Sequence, residues 1–264
     1  MTLAPSVRSV LVASCLALAA VAAHADLLDD IMKAKKIRIS TDVAIPPAGM
    51  MDANMKPIGS DVETAQLLAK DWGLELEFIQ TTGATRIPNV NTGKADIIIS
   101  TLSVTPDRAK VIDFSKPYAV LQSVVGAPKT AAIKDWADLK GKSVTVTRGT
   151  TQDTELTAMA NDKGFKVVRY DDDATMVTSG VSGQAEMVAT SVALVNAISA
   201  KSTKGPWEPK FVIRNFDLAI GIKKGEPRLL AKLDEWVAAN LKNGKLNDIY
   251  KKYYGVALPA AMLQ

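Results

Sequence analysis

The 264-residue sequence carries 32 Lys and Arg against 28 Asp and Glu, a formal net charge of +4, and its single Cys and single His are Cys15 and His24. The charges are interspersed and only 5% of residues are aromatic, so there is neither a basic track nor a set of stacking platforms, and nucleic-acid binding is not expected. Once the N-terminal segment holding Cys15 and His24 is removed, Cys/His zinc sites, thiol nucleophiles, Ser-His-Asp triads and disulfides are all excluded.

That segment reads as a secretory signal peptide. Met1 to Ala25 has one charge, Arg8, then an apolar run from Val10 to Ala23, short of the roughly 20 residues a membrane span needs. It ends in Ala23-His24-Ala25, a small-residue cleavage signal. Cleavage after Ala25 into the periplasm is the expectation. Val12-Ala13-Ser14-Cys15 loosely resembles a lipoprotein box, but too little apolar sequence precedes Cys15 and the run continues past it.

Further along, short β-prone runs alternate with helical patterns. Ile37–Ser40 is β-prone. Asp61–Trp72 has apolar residues at helical spacing and Gly73 as its stop. Leu74–Gln80 reads as a strand, Ile87–Thr92 as a short helix before Gly93, and Ala95–Ser100 as an apolar strand. A second series begins at Ser143–Thr147. It continues with a helix from Thr151 to Asp162 before Gly164, a strand over Phe165–Tyr170, a helix over Ala174–Ser182 and a strand over Glu186–Thr190. Gly126-Ala127-Pro128-Lys129 is read as the break between the series. Following a loop over Ser202–Pro209, Phe211–Ile222 is strand-rich, and helices over Arg228–Lys242 and Lys245–Tyr253 close the chain. Strands separated by helices imply parallel-type sheets flanked by helices, an α/β fold.

Seven segments, in order, carry a resemblance: Thr41-Asp42 with Pro46-Pro47, Gly59-Ser60-Asp61-Val62-Glu63, Gly93-Lys94-Ala95-Asp96, Thr105-Pro106-Asp107-Arg108, Asp113-Phe114-Ser115-Lys116-Pro117-Tyr118, Asp138-Leu139-Lys140-Gly141-Lys142 and Gly149-Thr150-Thr151. Each is weak alone; in this order and spacing the sequence resembles the amino-acid-binding proteins of ABC importers, extracellular solute-binding family 3. The resemblance implies the two-lobed type II periplasmic-binding-protein fold with a two-stranded hinge. After the signal peptide (1–25), lobe 1 would comprise 26–125 and 219–264, and lobe 2 would comprise 126–218.

Ser100 ends a strand expected to be parallel, where open α/β sheets place ligands. Ser100, Thr101 and Ser103 offer hydroxyls and N–H groups, and the planar fork of Arg108 matches a carboxylate with two parallel hydrogen bonds. On residues alone, the favoured reading of Arg108 is a surface arginine at a helix start, paired with Asp107 or Asp113; the resemblance implies instead that it holds the ligand carboxylate. Gly149-Thr150-Thr151 precedes a helix whose free N–H groups make an anion site, although Thr150 also suits a plain N-cap. The resemblance adds Asp42, Ile45, Thr147 and Ser191 to the ligand-binding set. Asp171-Asp172-Asp173 reads as a solvated turn and helix cap, and no metal or cofactor is expected. Phe114 and Tyr118 read as packing residues of lobe 1.

Three departures from the family pattern stand out. Ser191 occupies the position where an aspartate usually meets the ligand ammonium, and a desolvated ammonium facing hydroxyls alone is poorly compensated; Asp42 could serve instead. Ile45, Ala48 and Gly83 stand at aromatic positions, which suggests a wider pocket. Arg86 and Arg148 adjoin pocket positions and could meet a second anionic group or face solvent. The expected function is capture of a small carboxylate solute, an amino acid or analogue, by hinge closure. The expected partner is an inner-membrane ABC permease, and the protein is expected to be monomeric and not an enzyme. The alternatives are a cyclohexadienyl- or arogenate-dehydratase-like enzyme, for which Glu155 or Glu186 would have to be the acid or base, and a ligand sensor acting on a separate receptor.

Overall fold

Two series of strand–helix units are threaded onto two long strands. The computed structural model describes residues 26–263, so the signal-peptide reading lies outside the described residues. The chain starts with α1 (Leu27–Ala34), capped by the Asp26 carboxylate, which accepts the Leu28 N–H at 3.0 Å. Then come β1 (Lys36–Thr41), a ribbon of β2 (Met50–Met51) and β3 (Pro57–Ile58), α2 (Ser60–Trp72) and β4 (Glu75–Gln80). Next are α3 (Arg86–Asn91), β5 (Ile97–Ile98) and α4 (Pro106–Ala109). Helix α2 buries Val62, Ala65, Leu68 and Ala69 on one face. It stops at Gly73, whose left-handed backbone (φ +66°) returns its N–H to the Ala69 and Lys70 carbonyls.

The 17-residue strand β6 (Ile112–Pro128) leads to the second series: β7 (Ser143–Thr147), α5 (Thr151–Lys163), β8 (Lys166–Tyr170), α6 (Asp173–Ser182), β9 (Val188–Ser191) and α7 (Val192–Lys201). A second 17-residue strand, β10 (Trp207–Lys223), returns the chain to α8 (Pro227–Lys242) and α9 (Lys245–Tyr254). The sheet order is β4-β1-β5-β10-β6-β9-β7-β8. Pairs β1–β4, β1–β5, β7–β8 and β7–β9 are parallel, as strands with helical crossovers must be. Apart from the β2–β3 ribbon, every antiparallel pair involves β6 or β10.

Those two strands pair along their whole length and tie two cores together. On one side lies a cluster around Ile37, Ile39, Leu68, Ile97, Tyr118, Ile220 and Leu233, with a smaller one around Ile98, Leu102 and Ile112. On the other lie clusters around Val125, Val144, Val146 and Leu156 and around Val124, Met176, Leu194 and Trp207. The short stretch between the two sides carries Gln122 paired to Asn215 across the strands. This is the two-lobed architecture with a two-stranded hinge.

Three readings need correction. Gly126–Pro128 is no break: it is the end of β6, paired with Trp207, Glu208 and Pro209. The segment read as a loop to Pro209 already belongs to β10 from Trp207 onwards. The strand expected over Ala95–Ser100 pairs only at Ile97–Ile98, because Ser100 and Thr101 turn into the cleft, Thr101 with φ +42°. Glycine and proline within a strand pattern argue for punctuation, and here they are absorbed as register shifts. One falls beside the Ala219–Pro117 pair, where proline has no N–H to give the ladder.

Candidate ligand-binding site

The carboxyl ends of β1 and β5 from one lobe meet the starts of α5, α6 and α7 from the other. The cavity between them is bordered by Arg86, Thr101 and Ser103 on one side and Thr150, Thr151 and Asp173 on the other. The lobes touch: Arg108 Nη2 donates to the Gly149 carbonyl at 3.2 Å. Gly149 and Gly83 approach backbone to backbone, so a Cβ on Gly83 would sit 2.9 Å from the Arg148 carbonyl oxygen. The missing aromatic at position 83 therefore does not widen the pocket; it lets the lobes close.

In the first lobe, Thr105 caps the short helix α4 and Pro106 opens it, which sets Arg108 over Ser103, whose carbonyl accepts from Nη1 at 2.9 Å. Neither acidic neighbour pairs with Arg108: Asp107 binds Lys110 at 2.6 Å and Asp113 binds Lys224 at 2.9 Å. Arg86, on α3, is 4% exposed. Its Nη1 donates to the Ser100 and Thr101 carbonyls at 2.5 and 3.4 Å, while its Nε is buried with no partner. Among the described residues neither guanidinium has a carboxylate within 4.0 Å. Burial, and then the like charge of Arg86, hold Arg108 down to about 9. Burial lowers Arg86 too, against the pull of Asp173, Asp42 and Asp61. An anion arriving beside these groups would relieve that strain.

Asp42 directly follows β1 and is 2% exposed. Oδ1 accepts from the Ala44 N–H at 2.9 Å; Oδ2 is buried and unpartnered. Burial pushes its carboxyl up to about 7, reinforced by Asp173 and opposed by the Ala44 N–H and Arg86. Ser100 Oγ accepts the Asp42 N–H at 3.1 Å. Asp61 accepts the Thr101 N–H at 2.6 Å and the Tyr118 hydroxyl at 2.7 Å, and so secures the left-handed Thr101 backbone. Its carboxyl is raised to about 6 by burial, against those two hydrogen bonds.

In the second lobe, Thr150 caps α5: its Oγ1 accepts from the Asp153 N–H at 3.2 Å and donates to the Thr147 carbonyl at 2.7 Å. It borders the cavity all the same, so the cap and the cleft-facing position coexist. The N–H groups of Thr151 and Gln152 lie in the first helical turn, where no intrahelical acceptor exists. Ser191 borders the cavity too, but its Oγ accepts from the Leu194 N–H at 3.2 Å as the cap of α7.

The acidic triplet splits three ways. Asp171 pairs with Arg148 at 2.9 Å on the surface. Asp172 is the N-cap of α6 and accepts from the Thr175 N–H at 2.7 Å. Asp173 is 5% exposed, accepts from Thr147 Oγ1 at 2.7 Å, and borders the cavity with its carboxyl raised by burial. The solvated-turn reading holds for two of the three residues and fails for Asp173. The signal available in sequence was the Asp172-x-x-Thr175 capping spacing, which moves Asp173 off the cap and into the first helical turn.

The structure thus gathers Ile45, Thr101, Ser103, Thr150, Thr151, Ser191 and Arg86 around the cavity, with Asp42, Ser100, Thr147 and Arg108 directly behind or beside them. It does not bring Arg148 in, whose side chain is 53% exposed. Glu155 is paired with Arg214 at 2.9 Å, and Glu186 is exposed and precedes β9 instead of lying in it. Gln152, Thr190, Leu121 and Leu194 also border the cavity. Among the described residues no group of three or more His, Cys, Asp or Glu side chains is placed to hold a metal ion, and no helix is long and apolar enough to cross a membrane.

The sequence model of the bacterial extracellular solute-binding proteins, family 3, matches residues 37–256. The L-arginine-binding protein of Pseudomonas aeruginosa is 27% identical over 228 residues, 83% of this chain and 88% of its own length. The L-cystine-binding protein TcyJ of Escherichia coli is 26% identical over 236 residues, 87% of this chain and 86% of its own. Among solved structures, the solute receptor for L-cysteine of Neisseria gonorrhoeae superposes with a TM-score of 0.79 at 32% identity, covering 86% of this chain and 92% of that one. The ancestral amino acid-binding protein AncCDT-1, a precursor of cyclohexadienyl dehydratase, superposes at 0.77 and 32%, covering 86% and 99%.

Proposed function

This chain belongs to the bacterial extracellular solute-binding proteins, family 3, and from that premise we propose that its cleft captures an α-amino acid in the periplasm and presents it to a membrane permease. The lobes are taken as residues 26–125 with 219–264, and 126–218. The carboxylate lies on Arg108, with the N–H groups at the start of α5 as its second set of donors. The ammonium lies between Asp173 and Asp42.

One observation carries this reading: desolvated guanidinium groups without ion-pair partners share the cleft with desolvated carboxylates, Asp42 on their own lobe and Asp173 on the other. A zwitterion satisfies both ends at once, and a buried charge without its counter-charge is costly. Asp173 supplies the second-lobe carboxylate that Ser191 lacks. Because the ligand touches both lobes, it favours the closed form through differential affinity. The relatives named for arginine, cystine and cysteine support an amino acid as the solute class.

The test is a titration with L-amino acids and their deaminated analogues, read by calorimetry and by melting temperature. An amino acid at a hundred times its Kd should stabilise the protein by about 2.7 kcal/mol, and its deaminated analogue should bind at least about tenfold more weakly, since an uncompensated buried carboxylate is left behind. Asp173→Asn should erase that preference. Equal binding of amine and deaminated ligands to the unaltered protein would overturn the ammonium assignment.

A dehydratase is the second reading, and Asp42 is what favours it. A carboxyl near 7 with an unpartnered oxygen suits proton transfer better than Glu155 or Glu186 in their observed positions. Product formation lost in Asp42→Asn would establish it.

A further inference from the structure

Beside the charged cavity lies a much larger space that the head-group chemistry leaves unused. It measures about 650 Å³, against about 40 Å³ for the charged cavity. The smaller space holds a few waters at most. The two spaces adjoin: Ile45, Thr101, Leu121 and Ser191 border both.

The walls of the large chamber are mainly apolar. Pro46, Pro47 and Ala48 come from the loop after β1, and Tyr250, Tyr253 and Tyr254 from α9. Opposite them, Ala193 and Ala197 sit one turn apart on the same face of α7, half-buried and too short to fill the space. The Tyr253 and Tyr250 hydroxyls are engaged by first-lobe groups. Tyr253 donates to Glu63 at 2.5 Å and accepts the Gly59 N–H at 3.2 Å, and Tyr250 donates to the Val120 carbonyl at 3.4 Å. The Tyr250 and Tyr254 rings stack on each other at 4.5 Å. With their polar ends tied into the first lobe, the rings offer carbon surface in a fixed position.

We propose that this chamber is the side-chain subsite of the ligand site, and that the solute is an amino acid with a long apolar or aromatic side chain. The inference rests on the head-group reading above. The occupant is read as continuous with the head group because the two spaces adjoin at Ile45, Thr101, Leu121 and Ser191. It should be mainly apolar and uncharged, because the lining carries no charged side chain and its polar members, Thr101, Gln122, Ser191 and Asn196, are outnumbered by proline, alanine, aliphatic and tyrosine carbon. It must be sizeable, because an unfilled apolar space of this volume gains nothing on closure until a ligand takes its water-exposed surface out of solvent.

Calorimetric titration with L-alanine, L-leucine and L-phenylalanine tests this, on the unaltered chain and on Ala197→Phe, with Ala193→Leu as a second filling variant should the first fail to fold. L-phenylalanine should bind the unaltered chain at least about tenfold tighter than L-alanine, as burial of a phenyl group predicts. Filling the chamber should cut that ratio to within about threefold while L-alanine stays within about twofold of its original affinity. L-alanine binding as tightly as L-phenylalanine, or both weakening equally in the filled variants, would overturn the subsite and leave the head-group reading standing. Failure of all three while another L-amino acid binds overturns the subsite alone; failure of every L-amino acid overturns the head-group reading, and the subsite with it.

Discussion

The two walls of the cleft are built differently. The first-lobe wall holds Arg86, Arg108 and Asp42, charged groups that burial has moved away from their ordinary protonation equilibria. The second-lobe wall holds two helix caps, Thr150 and Ser191, a run of free N–H groups, and one buried carboxylate, Asp173. Caps are satisfied with or without a ligand, whereas unpaired buried charges are not. Under the proposed function, the first wall would hold the ligand and the second would register its presence by closing over it. Arg108 touches both sides, with one donor on Ser103 of its own lobe and another on Gly149 of the other.

The largest effect should come from that residue. Arg108→Ala removes charge-assisted hydrogen bonds to the proposed carboxylate and the contact to Gly149 together. Hydrogen bonds to charged groups contribute roughly 1.5–3 kcal/mol each, so affinity should fall by about a hundredfold or more. The unliganded variant should melt no lower than the unaltered chain, because a desolvated cation has been deleted. Arg108→Lys restores charge but not the planar fork, and should recover only part of the loss. Near-normal binding by Arg108→Ala would move the anchor elsewhere, with Arg86 next in line.

A smaller effect concerns pH. Asp42 and Asp61 are raised to about 7 and about 6, and Asp173 is raised as well. A carboxyl raised in the folded state contributes stability that is complete below its unfolded pKa of about 3.9 and is lost as pH rises through the folded value. The ligand-free protein should therefore lose stability between about pH 4 and pH 7. A ligand ammonium favours ionised Asp42 and Asp173, so binding should release protons, and affinity should rise between about pH 5 and pH 8. Arg86 and Asp172 are the other charged neighbours of this group. Affinity that is flat with pH would sever the carboxylates from the ligand amine and break the proposed division of labour.

How much of this was legible in the sequence depends on whether the cause was local. Strand β7 was expected and observed over Ser143–Thr147, and α5 starts at Thr151 and stops before Gly164 as its cap and its glycine require. The hinge strands were not legible as single elements. Their pairing runs through both lobes, and Pro117, Gly126 and Pro128 punctuate a pattern that only long-range partners hold straight. The seven ordered segments pointed to the family over most of its length. Asp173 was missed because its burial is set by Thr147 on a neighbouring strand, 26 positions away. Arg86 was left open between cleft and solvent because nothing near it in sequence says that the Ser100 and Thr101 carbonyls wait for its guanidinium.

The smallest effect belongs to Arg148, which adjoins the pocket in sequence and not in space. Its side chain is half exposed and pairs with Asp171, a surface contact expected to contribute between zero and about 1 kcal/mol. What position 148 gives the cleft is its backbone, whose carbonyl lies where a side chain on Gly83 would have to go. Arg148→Ala keeps that carbonyl and should leave affinity within about twofold, a change of less than half a kcal/mol. Gly83→Val, on the same contact, should hold the lobes apart and weaken binding more than Arg148→Ala does. The second wall would then be shown to act through shape and main chain, with Asp173 as its one charged contribution. A tenfold loss in Arg148→Ala would instead mean that the guanidinium leaves Asp171 and turns inward when the ligand arrives, making the second wall an electrostatic partner equal to the first.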